Sequence, residues 1–129
     1  TLTSNERAMI SLLIEAARQM DEIFWLQSYG EKDELLASLP DAQRRLVEIN
    51  YGPWDRLGNN QPLISGIGPK SEGANFYPPD MTRTEFEEAL ASRSPEEAGL
   101  LKSLYTLVRR DGQGELITAP YSEAYERPL

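Results

Sequence analysis

Residues 3–26 read TSNERAMISLLIEAARQMDEIFWL, and the spacing of their apolar side chains decides the class of fold. Thr3 followed three residues later by Glu6 is a capping-box pattern, in which the hydroxyl and the carboxylate satisfy backbone amides at a helix start. Behind it Met9, Leu12, Leu13, Ala16, Ala17, Met20, Ile23 and Phe24 recur at helical spacing. Ile10, Ile14, Trp25 and Leu26 widen this stripe beyond what one face of a surface helix needs, so the helix should be covered on more than one side. Gly30 ends it near Tyr29.

Reading onward, a short second helix covers about 32–38. A third begins around Pro40, a residue tolerated in a first helical turn, and should carry Leu46, Val47 and Ile49 inward before Gly52-Pro53 stops it. From 52 to 79 the helical period disappears and Gly, Pro and Asn accumulate. The same stretch holds Trp54, Leu57, Leu63, Ile64, Ile67, Phe76 and Tyr77, too much apolar area for a solvated linker. It should be an ordered loop that packs across the helices.

Thr82 with Glu85 forms a second capping box, opening a helix through about Ser92 with Phe86 and Leu90 on one face. Ser94-Pro95-Glu96-Glu97 combines an N-cap, a proline at the first helical position and a box glutamate, and its helix should run to about Ser103. Residues 104–108 lean toward β structure, Asp111-Gly112-Gln113-Gly114 is turn chemistry, and Leu116-Ile117-Thr118 leans toward β again. A small hairpin is expected; the competing reading continues the helix through Arg110. Ser122-Glu123-Ala124-Tyr125 starts a further helix shortly before the chain stops at Arg127-Pro128-Leu129. The expected architecture is mainly α: a helical, orthogonal or bundle-like arrangement over residues 1–129, with a long Gly/Pro/aromatic loop and one late hairpin.

Composition excludes several chemistries. The 129 residues include 13 Lys plus Arg, 21 Asp plus Glu, no Cys and no His. Without imidazole or thiol there is no Ser-His or Cys-His nucleophile, no His-ligated metal and no iron–sulfur cluster. The net charge of −8 opposes binding to duplex DNA or anionic lipid, which begins with cationic side chains releasing counterions. No apolar stretch is long enough to span a bilayer, and the first residues lack a signal peptide's basic and apolar regions. A soluble protein is expected, in cytoplasm or periplasm, because a cysteine-free chain fits either compartment. The start without Met and the stop just after a new helix begins suggest a piece excised from a longer protein.

Carboxylates are the plentiful reactive groups, but most sit at helix starts or on polar faces, where solvated surface is the ordinary reading. A carboxylate-only hydrolase needs two of them in one cleft with one pKa raised. Asp111, Gln113 and Glu115 alternate as cation ligands might, yet the run is shorter than a calcium loop and reads better as a turn. Residues 66–71 place Gly, Lys and Ser together without the spacing of a phosphate loop. The densest cluster is Tyr51, Trp54, Asp55, Arg56, Asn59 and Asn60. It suits a ligand wall, since amides and Arg orient a peptide backbone or carboxylate beside aromatic area. The plainer alternative is that Trp54 plugs the core while Asp55, Arg56 and Asn59 satisfy loop backbone groups.

The blocks Ile49-Asn50-Tyr51-Gly52-Pro53-Trp54-Asp55-Arg56-Leu57, Gly73-Ala74-Asn75-Phe76-Tyr77-Pro78-Pro79-Asp80-Met81-Thr82, Leu104-Tyr105-Thr106-Leu107-Val108-Arg109-Arg110 and Pro120-Tyr121-Ser122-Glu123-Ala124-Tyr125 occur in this order. Together they resemble the amino-terminal part of bacterial dipeptidyl peptidase III-like zinc hydrolases, over a span from about Asn5 to the end. Some relatives in that family are called nudix-like, although the glutamate-rich helix of a nudix box is missing here. The resemblance implies a two-lobed parent that binds peptide substrate in an interlobe cleft. Zinc there is held by a His-Glu-x-x-Gly-His helix plus a further Glu, with the motif Glu activating water. This sequence contains none of that helix, so no catalytic or metal-binding residue carries over and no cofactor is expected in this piece, with zinc in the intact parent. Its partner should be the remaining lobe or a second copy. Tyr51, Trp54, Asp55, Arg56, Asn59, Asn60, Asn75 and Tyr77 are the candidate cleft or loop-supporting residues. The alternative is a stand-alone acidic interaction module anchored by Trp54, Phe76 and Tyr77.

Overall fold

A computed structural model describes residues 2–126. Arg127, Pro128 and Leu129, at which the sequence stops, lie outside the described residues. The chain is mainly α. The helices are α1 (Ser4–Ser28), α2 (Lys32–Ala37), α3 (Asp41–Asn50), α4 (Arg83–Ser92), α5 (Pro95–Leu101) and α6 (Tyr121–Ala124). The strands are β1 (Trp54–Asp55), β2 (Gln61–Pro62), β3 (Thr106–Arg110) and β4 (Leu116–Pro120), paired as two antiparallel hairpins.

Three helix starts form as the capping chemistry dictates. Thr3, Thr82 and Ser94 each accept the backbone N–H three residues on, and Glu6, Glu85 and Glu97 accept the N-cap N–H in return. Pro40 is the N-cap of α3, one position earlier than a first-turn proline. Tyr51 ends α3 in the left-handed region at φ 51°, and Gly52 follows at φ 143°. A Cβ at Gly52 would make only ordinary contact with the Trp54 ring, at 3.4 Å, so it is the backbone conformation that makes this turn need glycine. On α3 only Val47 is buried; Leu46 is 41% and Ile49 68% exposed, against the expected inward placement of all three. The reason is angular: Ile49 lies about 200° round the helix from Val47, so one face cannot hold both.

The late hairpin replaces the competing helical continuation. Its register pairs Leu107 with Ala119 and Arg110 with Leu116. Alternation sends Leu107 and Ala119 toward Ile23, Phe76, Tyr121 and Tyr125, while Val108 and Leu116 pack on Leu101, Phe86 and Leu90. The hairpin thus carries one small core on each face. A third core joins Trp25, Leu35, Leu36 and Val47 with Ile64 from the long loop. Residues 52–79 therefore do pack across the helices, and they contain the short β1–β2 pair, which the sequence did not signal. Leu57 is an exception among the loop's apolar residues, at 99% exposed.

α1 departs most from expectation. Its buried residues are Ile23, Trp25 and Ser28, all in the last two turns. Met9, Leu12, Leu13 and Met20 are 53–67% exposed. The wide stripe, expected to be covered on more than one side, is bare for most of its length, because α2 to α6 and the long loop gather around the helix's C-terminal end.

Candidate functional site

The C-terminal end of α1 is where the loop residues converge. A helix end leaves carbonyls without intrahelical donors, and the loop supplies them. Asn75 donates its backbone N–H to Gln27 O at 3.0 Å and its side-chain amide to Leu26 O at 2.6 Å. Ser28 Oγ donates to Tyr51 O at 2.8 Å. Asn75 is held in turn by Arg109, whose guanidinium donates to the carbonyls of Asn75 (2.9 Å), Phe76 (3.3 Å) and Val108 (2.9 Å). Val108 N–H also donates to Phe76 O at 2.9 Å, which pins the loop to the edge of β3. One amide and one guanidinium thereby tie α1, the loop and the hairpin together.

Tyr51 and Arg56 meet on α1. The Tyr51 hydroxyl donates to Asp21, and its ring stands edge-on to Phe24 with centroids 4.7 Å apart. That hydrogen bond raises the pKa of the Tyr51 phenol, with burial adding to it. The Arg56 guanidinium lies 4.6 Å from the Phe24 ring centroid and donates from Nε to Asn50 O at 2.8 Å. Beside this group an open groove of about 430 Å³ is lined by Ala17, Met20, Ile23, Phe24, Gln27 and Tyr51, with Asp21 at its edge. Its walls are apolar apart from the tyrosine–aspartate pair and the Gln27 amide.

The other candidate residues stand apart from that groove. Trp54 is half-buried, packs at 5.8 Å on Tyr29, and donates Nε1–H to Gly68 O at 2.9 Å. Lys70 sits over the Trp54 ring at 6.0 Å and near Asn60 Oδ1, with its pKa lowered by burial and by the Arg56 charge. Asp55 Oδ1 accepts the Leu57 N–H at 2.9 Å, and Asn59 and Asn60 take left-handed φ values of 57° and 56° to turn the chain between β1 and β2. Tyr77 packs edge-on against Phe86 at the far side of the hairpin. The eight residues thus fall into separate local roles rather than onto one wall. Sequence reasoning missed Asp21, Phe24 and Arg109. Asp21 and Phe24 lie three apart on α1, which puts them on one face, but nothing in their spacing foretells a partner 30 positions away.

The carboxylates of Asp80, Glu85 and Asp111 are structural. Arg110 donates to Asp80 and to both oxygens of Glu85, and these bonds hold both carboxyls below their ordinary range. A general acid needs the opposite shift. Asp111 Oδ1 accepts the N–H groups of Gln113 and Glu115, which closes the hairpin turn. Among the described residues no group of three or more His, Cys, Asp or Glu is placed to hold a metal ion. The geometry fits packing and backbone support: the hydroxyls of Thr3 and Ser94 that meet a carboxylate, Glu6 and Glu97, do so within helix caps.

Two solved structures share this arrangement. Dipeptidyl peptidase III from Caldithrix abyssi superposes with a TM-score of 0.85 over 98% of the chain at 40% identity. The chain is dipeptidyl peptidase III-like. The match takes up 25% of the Caldithrix abyssi chain. Dipeptidyl-peptidase III from Corallococcus sp. strain EGB superposes with a TM-score of 0.74 at 32% identity, over 85% of this chain and 22% of that one. Nudix hydrolase 3 of Arabidopsis thaliana is 24% identical over 99% of the chain and 24% of its own length. No protein-family model matches. This dipeptidyl peptidase III-like chain therefore spans about a quarter of the length of each relative.

Proposed function

We propose that this chain is a scaffold portion of a longer zinc-dependent hydrolase of the dipeptidyl-peptidase type, supporting a peptide-binding cleft without supplying the catalytic metal site. The observation that carries the proposal is the superposition of 98% of the chain on one quarter of dipeptidyl peptidase III at 40% identity. The chemistry agrees: the chain has no His or Cys, and Asp80, Glu85 and Asp111 are occupied by Arg110 and by backbone amides. Zinc activates water only when ligands fix it with an open position, so the ligands must come from sequence outside these residues. In this reading Asn75, Arg109 and Ser28 keep the loop and the end of α1 in register, and Tyr51 and Arg56 anchor the loop to α1.

The competing module reading loses two of its anchors. Phe76 packs with Tyr121 and Leu107, and Tyr77 with Phe86, so neither aromatic is presented for a partner. Reading the coding region outward in both directions is the cheapest test of the proposal. A His-Glu-x-x-Gly-His segment in the same reading frame is the expected result; stop codons flanking these 129 codons would refute it.

A further inference from the structure

We infer that the bare apolar face of α1 is the docking surface for the part of the longer dipeptidyl peptidase III-like protein that lies outside residues 1–129. The inference rests on the scaffold reading and deepens it by naming the surface through which the scaffold is held.

Met9, Leu12, Leu13 and Met20 share one side of the helix, and each has more than half of its surface exposed. From Ser4 to Met20 the helix extends about 25 Å, beyond the last residues that the rest of the chain covers. An isolated helix of that length is marginal in water, and a stripe of this width is not what a solvated arm carries. Something outside these residues covers it.

The superposition on the Caldithrix abyssi protein identifies that cover. The Caldithrix abyssi match takes in 98% of this chain, so α1 lies inside the superposed region, in a polypeptide three-quarters of which lies outside the match. The arm thus falls within a match to a protein with ample further chain to pack on it. A second copy is the poorer occupant on charge. α1 carries Glu6, Glu15, Asp21 and Glu22 against Arg7 and Arg18, in a chain of net charge −8, so self-pairing sets like charge against like. The complementary surface should be apolar at its centre with Lys or Arg around its rim.

Amide hydrogen exchange on the longer protein and on residues 1–129 tests this directly. We expect the α1 amides of residues 8–20 to exchange at least about 100-fold more slowly in the longer protein. Leu12→Glu with Leu13→Glu should abolish that difference, while Ser11→Glu, on the polar side, should leave it intact. Equal exchange in the two wild-type proteins would overturn the inference, and needs no variant to fold. So would sedimentation of residues 1–129 as a dimer that the double variant dissociates, which would assign the face to a second copy. Neither result touches the scaffold reading, which stands or falls on the zinc segment in the reading frame.

Discussion

Replacing Trp25 by Ala should cost this chain about 3–5 kcal/mol of folding free energy, the usual range for truncating a buried large aromatic. Trp25 is 2% exposed and is the only α1 side chain in the core formed with Leu35, Leu36, Val47 and Ile64. Its ring packs at 5.7 Å on Tyr51, and the Lys32 ammonium lies 5.3 Å from its centroid. Removing it opens a cavity at the joint where α1, α2, α3 and the long loop meet. A domain of this size has a total stability on the order of 5–15 kcal/mol, so the variant should sit near its unfolding threshold at room temperature. Urea unfolding followed by circular dichroism measures the loss. Leu57→Ala is the control: at 99% exposure it should change stability by less than about 0.5 kcal/mol. A Trp25→Ala loss as small as the control's would mean that the core around Trp25 does not hold α1.

Arg109→Met should remove about 2–4 kcal/mol while keeping most of the side chain's apolar stem. The guanidinium satisfies three backbone carbonyls on two elements, and charge-assisted bonds of this kind contribute more than neutral ones. The signature is local as well as global. The Val108 amide, which donates to Phe76 O, should lose exchange protection as the loop leaves the edge of β3, whereas α2 amides should change only as far as global stability does. Uniform loss of protection across the chain, or none, would show that Arg109 does not pin this loop.

Much of this architecture was legible because local chemistry specifies it. The pairs Thr3/Glu6, Thr82/Glu85 and Ser94/Glu97 fixed three helix starts, and Asp111-Gly112 with β-leaning flanks fixed the hairpin. Helix ends drifted by one or two residues, as at Leu101 against the expected Ser103, since end turns depend on what packs beside them. The β1–β2 pair was hidden because two residues per strand carry no alternation to read. The stripe on α1 was legible in another sense: its width reports that a cover exists, and the exposure of Met9, Leu12, Leu13 and Met20 shows that the described residues do not provide it. Around the candidate site, the density of Tyr51, Trp54, Arg56 and the asparagines was visible, and so was the alternative that they support the loop. Their contacts with Asp21, Phe24 and Gly68 were not, because those pairings span 14 to 32 positions and are set by tertiary packing. Phe76 and Tyr77 look alike in sequence, yet alternation at the hairpin sends them to opposite cores.

The central claim is that these residues frame a hydrolase whose reacting metal is held by other sequence. Dipeptide release from a peptide substrate, assayed with added zinc for the purified 129-residue chain and for the longer protein, tests it most directly. The longer protein should turn over in a zinc-dependent manner, and the chain alone should show no release above the uncatalysed rate. Zinc-dependent release by the chain alone, abolished by a chelator, would contradict it.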